Sequence, residues 1–344
     1  MHTDSTKLTD TAKLLKECDA GTKMAISSIN EILEKVIEEV REKIDPCLMV
    51  NELRIGSRLM NNSVESTGIE VTFTNRSEKP IFYMDVHLMP FAPKDETVVN
   101  SHVDLENLEY SEVNIPYLCG CFLSDLARCM RKMDKILPDQ FEDALPEDIQ
   151  KHLFFSVANF EQNQKLLWNH PYFKFLDLAI FPCWKLSTNP NDRGHFMISR
   201  RLSNIWGLSD EKLFRMAMNN MPKLYHFVIR PLSDVLREET ELSVDDTPLI
   251  LAGCKEAHYG PAILLYPKYL KEISKKAGGS FYVLPTSVDE VLIAPENACQ
   301  DRTVADLYDM MKFMNSNMRM KSDILSDAVY FYNAEENHLM IAEK

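Results

Sequence analysis

The chain has 344 residues, 45% hydrophobic and 26% charged, with a formal net charge of −14; that composition is ordinary for globular proteins and can bury one large core or two to three smaller ones. An acidic surface with no basic stripe repels a phosphate backbone, which argues against nucleic acid and anionic membrane surfaces as partners. The longest apolar runs, such as Leu178–Trp184, fall far short of the roughly 18 residues of a membrane span.

The N-terminal stretch MHTDSTKLTDTAKLLKECDA has no apolar h-region, so no export signal is expected. Cysteines stand at 18, 47, 119, 121, 129, 183, 254 and 299, several inside apolar runs. In a chain that needs no stapling they read as reduced, mostly buried thiols. Both features place the protein in the cytoplasm.

Residues 1–20 are polar and read as a flexible tail. From Met24 to Ile44 the apolar residues Ile26, Ile29, Leu33, Val36, Val40 and Ile44 step by three and four. Glu31–Lys35 and Glu39–Lys43 stand four apart in the favourable order. This predicts a helix, ended at Asp45-Pro46. Three strands follow at Leu48–Ile55, Ile69–Phe73 and Ile81–Asp85, separated by turn-rich segments. A polar loop from Pro90 to Glu112 returns to helix at Tyr117–Met133, where Leu118, Phe122, Leu126, Cys129 and Met133 form one face. Residues 21–135 are thus expected as a unit of helix, three strands and helix.

The region 136–245 is expected to be mainly helical with one strand pair. It opens with Leu137-Pro138 and a long helical pattern through Ile149, Leu153, Val157, Phe160 and Leu167, stopping before Pro171. Strands at Asp177–Leu186 and His195–Ile198 flank an Asn-Pro-Asn turn at 189–191. Helices are expected at Arg201–Trp206 and at Asp210–Met221, the second opened by Ser209 as N-cap and broken at Pro222. Another is expected at Pro231–Glu239. The acidic run Glu238 through Asp246 reads as a linker.

In the last unit, residues 246–344, Leu249–Cys254 is a plausible strand. A helix is bounded by Pro267 at its first position and Gly278-Gly279 at its stop, with Leu270, Ile273 and Ala277 as its apolar stripe. Ser280–Leu284 and Val288–Ala294 are too short for helices and show no polar alternation. They read as strands covered on both faces, paired antiparallel across Pro285-Thr286-Ser287. A helix near Val304–Met314 starts at the capping box Thr303-x-x-Asp306. A hairpin of Ala328–Tyr332 and His338–Ile341 closes the chain. The fold class is α+β, with two or three units of small, mostly antiparallel sheets packed with helices.

One series of residues carries a resemblance. It comprises Asn159 with Leu166-Leu167, Asp177-Leu178-Ala179, Leu265-Tyr266-Pro267, Gly278-Gly279, Tyr282-x-Leu284-Pro285-Thr286-Ser287, Glu290-Val291-Leu292 and Leu325-Ser326-Asp327-x-Val329-Tyr330. The series resembles the uncharacterised bacterial family known as domain of unknown function number 5688, over most of residues 115–344. The resemblance implies a bacterial origin and supplies no activity. That family often has Pro-Ser-Ser-x-His-Glu where this chain has Pro285-Thr286-Ser287-Val288-Asp289-Glu290, so no role for that histidine carries over.

Chemical signals are sparse. No P-loop or dinucleotide fingerprint occurs, and Gly278-Gly279 lies at the end of its helix that phosphates avoid; no cofactor is expected. Cys119 and Cys121, near Cys129, project to nearly opposite sides of a helix and cannot chelate one ion. His170 and His258 are isolated, so no metal is expected. The candidate nucleophile is Ser287, with Asp289 and Glu290 behind it and His258 in the preceding segment; it lacks a Gly-x-Ser-x-Gly elbow. The alternative is a turn whose hydroxyls bond to backbone. Asp177 and Leu325-Ser326-Asp327 also read as turn residues. Methionines 310, 311, 314, 318 and 320 fill a core or form an adaptable docking face.

These observations lead to a cytoplasmic, non-catalytic protein- or ligand-binding module with no cofactor, another protein being one partner to expect. The alternative is a hydrolase built near the Pro285–Glu290 turn from Ser287, Glu290 and His258.

Overall fold

The computed structural model describes residues 23–26, 29–75, 79–83, 110–136, 150–185, 195–239, 247–256, 259–318 and 321–343. The expected Asn-Pro-Asn turn, most of the polar loop after Pro90, the opening of the Leu137 pattern, most of the acidic linker, His258 and Met320 lie outside these residues. The chain forms two compact units, one from residues 1–60 and 64–138, the other from 61–63 and 139–344. Both are α+β.

In the first unit, β1 (Lys23–Ile26) pairs antiparallel with β5 (Tyr110–Asn114). Helix α1 (Ile29–Val40) buries Ile29, Leu33, Val36 and Val40, the stripe its sequence predicts. The expected helix from Met24 is corrected at its start. Met24 and Ile26 also fit a two-residue period, and pairing with β5 overrides helical spacing there. Strands β2 (Val50–Leu59), β3 (Glu65–Phe73) and β4 (Ile81–Tyr83) form an antiparallel sheet. Helix α2 (Ile115–Ile136) completes the unit and places Leu118, Cys119, Cys121, Phe122 and Leu126 in one core with α1 and the sheet.

The second unit holds two sheets. The smaller contains β6 (Leu153–Asn159), β7 (Phe173–Phe175), β8 (Leu178–Lys185) and β9 (His195–Met197), with β8 paired antiparallel to the other three. The long helix expected across Leu153 and Val157 is therefore wrong. Leu153-Phe154-Phe155 and Val157-Ala158 are buried on both faces of β6, and a strand enclosed on both sides has no period, so its four-residue spacings mimic a helix. Short helices α3 (Gln164–Leu167) and α4 (Arg200–Ile205) follow β6 and β9.

Helix α5 (Asp210–Leu224) packs on β6 and β8, and Ser209 caps it by accepting from the Lys212 N–H. It runs through Pro222, contrary to the expected break. Pro222 has no N–H for the Met218 carbonyl; the Tyr266 hydroxyl donates to that carbonyl instead, at 2.9 Å.

The larger sheet has the order β10-β11-β13-β12-β14-β15 and is antiparallel throughout. Its strands are β10 (Phe227–Pro231), β11 (Ile250–Cys254), β12 (Phe281–Leu284), β13 (Glu290–Pro295), β14 (Tyr330–Asn333) and β15 (His338–Ile341). The expected pairing across Pro285–Ser287 is present, with Val283 opposite Ile293, and both strands are largely buried. Pro231 ends an edge strand, where a missing donor is tolerated, and helix α6 starts after it at Leu232–Glu239.

Helix α7 spans Pro267–Ala277, the bounds its Pro and Gly-Gly signals predict, and is stopped by Gly278 at φ +79°. Helix α8 spans Val304–Met318. Its capping box forms as expected: the Thr303 N–H donates to Asp306 at 2.7 Å and the Asp306 N–H to the Thr303 hydroxyl at 3.2 Å. Met311 of α8 is buried, with Met310 and Met314 packed partly against the same cluster. The tight turn Gly260–Leu265 packs on β6, β11 and β13, touching both sheets.

Candidate ligand-binding site

Register decides which side chains meet on the smaller sheet. Directly opposed residues of antiparallel strands point to the same face. Phe154 lies opposite Cys183 and Lys185 opposite His195, so these four share one face. Phe155 points to the other and meets Phe214 of α5 at 4.8 Å between ring centroids.

Two tyrosines from outside the sheet cover that first face. Tyr225 terminates α5, and Tyr259 precedes the Gly260–Leu265 turn. The Phe154 ring lies 5.3 Å from that of Tyr225, 4.8 Å from Tyr259 and 5.7 Å from His195. The Tyr259 hydroxyl and His195 Nδ1 share a hydrogen bond of 2.7 Å. Lys185 is only 2% exposed, and its ammonium stands 4.5 Å from the Tyr225 ring centroid, a cation–π arrangement.

Tyr259 sits at φ +57°, in the left-handed region that a bulky residue enters only under constraint. The constraint is next to it. The Gly260 N–H donates to the Asp289 carbonyl at 3.0 Å, and a Cβ on Gly260 would lie 2.2 Å from that oxygen and 2.6 Å from the Gly253 Cα. Only glycine admits this approach, and it fixes where Tyr259 emerges.

Tyr225 is 1% exposed. Burial pushes its phenol well above the usual range, with Tyr259, Cys183, Cys254 and Glu256 adding to the shift. It remains a neutral donor. Burial also raises the Cys183 and Cys254 thiols, so neither offers a thiolate. Burial alone would raise Glu256, but hydrogen bonds from the His226 ring at 2.6 Å and backbone N–H at 3.0 Å hold it below the usual carboxylate range.

A second polar cluster gathers residues of the sequence pattern quoted above. Asp177 occupies a two-residue link between β7 and β8, after Leu176 at φ +56°. Its carboxylate accepts from the Ser326 and Tyr330 hydroxyls, both at 2.5 Å, and from the Asn159 amide at 3.5 Å. The Asn159 carbonyl accepts from the Asn163 amide at 2.8 Å, and that amide also donates to Asn62 at 2.9 Å. The Asn62 amide donates to the carbonyls of Lys321 and Ile324. The Asn315 amide donates to Ser326 O and Asp327. Burial, and then the Asp177 charge, raise Tyr330 far above its ordinary value. Each of these hydroxyl and amide donors has an acceptor, which makes the cluster a clamp.

Of the candidates read from the sequence, Ser287 and Glu290 lie at the turn that opens β13. Ser287 is buried, and its hydroxyl accepts from the Asp289 and Glu290 N–H groups at 3.2 and 3.1 Å, the turn geometry of the alternative reading. Thr286, also buried, has no partner for its hydroxyl among the described residues. Glu290 opens β13 opposite Gly253. His258 lies outside the described residues. Sequence reasoning missed Lys185, Tyr225, Tyr259 and His195 because they are far apart along the chain; the signals available were a lysine ending an apolar run and a tyrosine directly before Gly260.

Residues 119–334 match the family of unknown function DUF5688. The chain belongs to that family. The matched segment contains the Lys185 cluster and the whole of Asp177 with its three donors. No curated protein and no solved structure matches the chain. Among the described residues, no helix is long and apolar enough to cross a membrane.

Proposed function

We propose that this DUF5688 protein is a cytoplasmic, non-catalytic binding module whose second unit takes a small ligand at the Lys185 cluster. The observation that carries the reading is the convergence of a buried ammonium, Lys185, and four aromatic rings, Phe154, Tyr225, Tyr259 and His195, at one face of the smaller sheet. Small-molecule sites are usually lined by aromatic rings with a few convergent polar groups. The groups on offer are suited to holding rather than reacting: both thiols stay protonated, the Tyr225 phenol stays neutral, and Ser287 is committed to its turn. The cytoplasmic setting is supported by the seven described cysteines, none of which is joined in a disulfide.

The test is a fragment screen by saturation-transfer NMR on the full chain and on Tyr259→Ala. Ligands that bind the wild type and are lost in the variant are expected. A screen with no such ligand ends the reading.

A further inference from the structure

We propose that the open edge of β2 pairs antiparallel with β2 of a second copy of the chain, about a two-fold axis at Ile55, so that the sheets β2-β3-β4 of the two copies become continuous. The proposal concerns the first unit and is independent of the ligand-binding reading above.

Among the described residues β2 is the longest edge strand, ten residues from Val50 to Leu59 at one end of its sheet. Such edges are usually blunted by lysine, proline or shortness, and these ten residues contain neither lysine nor proline. Register shows which backbone groups the edge offers. The Val71 N–H donates to Pro80, on the β4 side, at 3.0 Å, and Val71 lies opposite Leu53. Hydrogen-bonding sides alternate along a strand, so Leu53, Ile55 and Ser57 turn their N–H and C=O groups away from β3. In a pair centred on Ile55, Leu53 meets Ser57 of the second copy and Ile55 meets its own counterpart, and these outward groups bond one another.

Charge selects a second copy as the occupant. On the solvent face Arg54 already donates to Glu70 of β3 at 2.7 Å, whereas the exposed Glu52 and Arg58 make no ion pair among the described residues. The pairing about Ile55 sets Glu52 opposite Arg58 of the second copy, and by symmetry does so twice, while Arg54 faces Gly56. Slipping the second strand by two residues, which keeps the backbone bonds, would put Arg54 against Arg58 or against its own counterpart, and like charges directly opposed are unfavourable. On the other face Leu53 and Ile55 pack against the core of the unit, and opposed residues share a face, so both copies turn their cores to the same side. A groove of about 480 Å³ lies between β2 and the segment after α1, lined by Ile44, Pro46, Val50, Asn51 and Leu53 among others. The pairing brings Leu59 of the second copy opposite Asn51, beside that groove.

The experiment is sedimentation velocity on the full chain across a micromolar concentration series. A species of twice the 39.7 kDa chain mass is expected to grow with concentration. Ser57→Pro removes an outward donor at an edge position where proline is tolerated, and should abolish the dimer while the circular dichroism melt stays near that of wild type. Glu52→Lys and Arg58→Glu each oppose like charges twice and should weaken the dimer about tenfold or more. Combining them restores both pairs with their signs exchanged and should return the dissociation constant to within about threefold of wild type. The charge variants change only exposed side chains and serve alone if Ser57→Pro does not fold. A chain that stays monomeric throughout would overturn the proposal and leave the edge to a strand of another protein. A dimer that survives Ser57→Pro in folded protein, or that the double charge exchange does not restore, would overturn it as well.

Discussion

The second unit contains two buried polar clusters that differ in one respect. Around Asp177 each hydroxyl and amide donor meets an acceptor, and two hydroxyls converge on one carboxylate at 2.5 Å. Around Lys185 no carboxylate holds the phenol; the Lys185 ammonium stands 4.5 Å from the Tyr225 ring centroid instead. The two tyrosines involved are buried to nearly the same degree, Tyr225 at 1% and Tyr330 at 0%. Burial alone therefore does not distinguish the two tyrosines; what stands beside each does, a carboxylate at Tyr330 and an ammonium at Tyr225.

The contrast can be broken by experiment, starting with the largest effect. Tyr225 and Tyr330 keep their protons above the ordinary phenol value of 10.0. Unfolded phenols ionise near that value while the folded ones do not, so stability is level below pH 10 and falls as pH rises beyond it. Tyrosinate absorbance from these two residues should appear only together with loss of near-ultraviolet circular dichroism. Reversible ionisation of both in the folded protein near pH 10 would contradict their burial.

Asp177→Ala leaves the Ser326 and Tyr330 hydroxyls buried without an acceptor and should cost about 3 kcal/mol in denaturant unfolding. A cost under about 1 kcal/mol would mean that the clamp is dispensable. Tyr330→Phe, which removes one donor to a charged group, should cost about 1.5 kcal/mol. The matching change Tyr225→Phe removes no bond to a carboxylate and should stay within about 0.5 kcal/mol of wild type. If these two phenylalanine variants melt alike, the distinction between the clusters fails.

Much of the architecture was legible because it rests on local signals. Gly278 at φ +79° stops α7 where a left-handed residue is needed, and the Thr303–Asp306 box starts α8. The strands around Pro285 could be paired because a hinge that short joins only neighbours. The errors share a cause. At β1 and β6 the partner strand decided the conformation, and the partners lie at Tyr110–Asn114 and Leu178–Lys185, beyond the reach of any local period. The site was less legible still. Asn159, Asp177, Ser326 and Tyr330 stood out as members of a pattern, yet nothing along the chain said that they touch. Lys185 reaches His195 through strand register, and Tyr225 through the end of α5, neither of which leaves a mark in spacing.

The exchange at the end of α5 reaches further than the helix itself. Pro222 withholds a donor from Met218, and the Tyr266 hydroxyl stands in for it; Tyr225 is the residue on which that helix terminates. The placement of the Tyr225 ring thus depends on a side chain borrowed from beyond the Gly260 crossing. A change at Tyr266 would strip the Met218 carbonyl of its substitute donor and loosen the helix end that carries Tyr225, a long-range effect on the Lys185 cluster from a residue outside it.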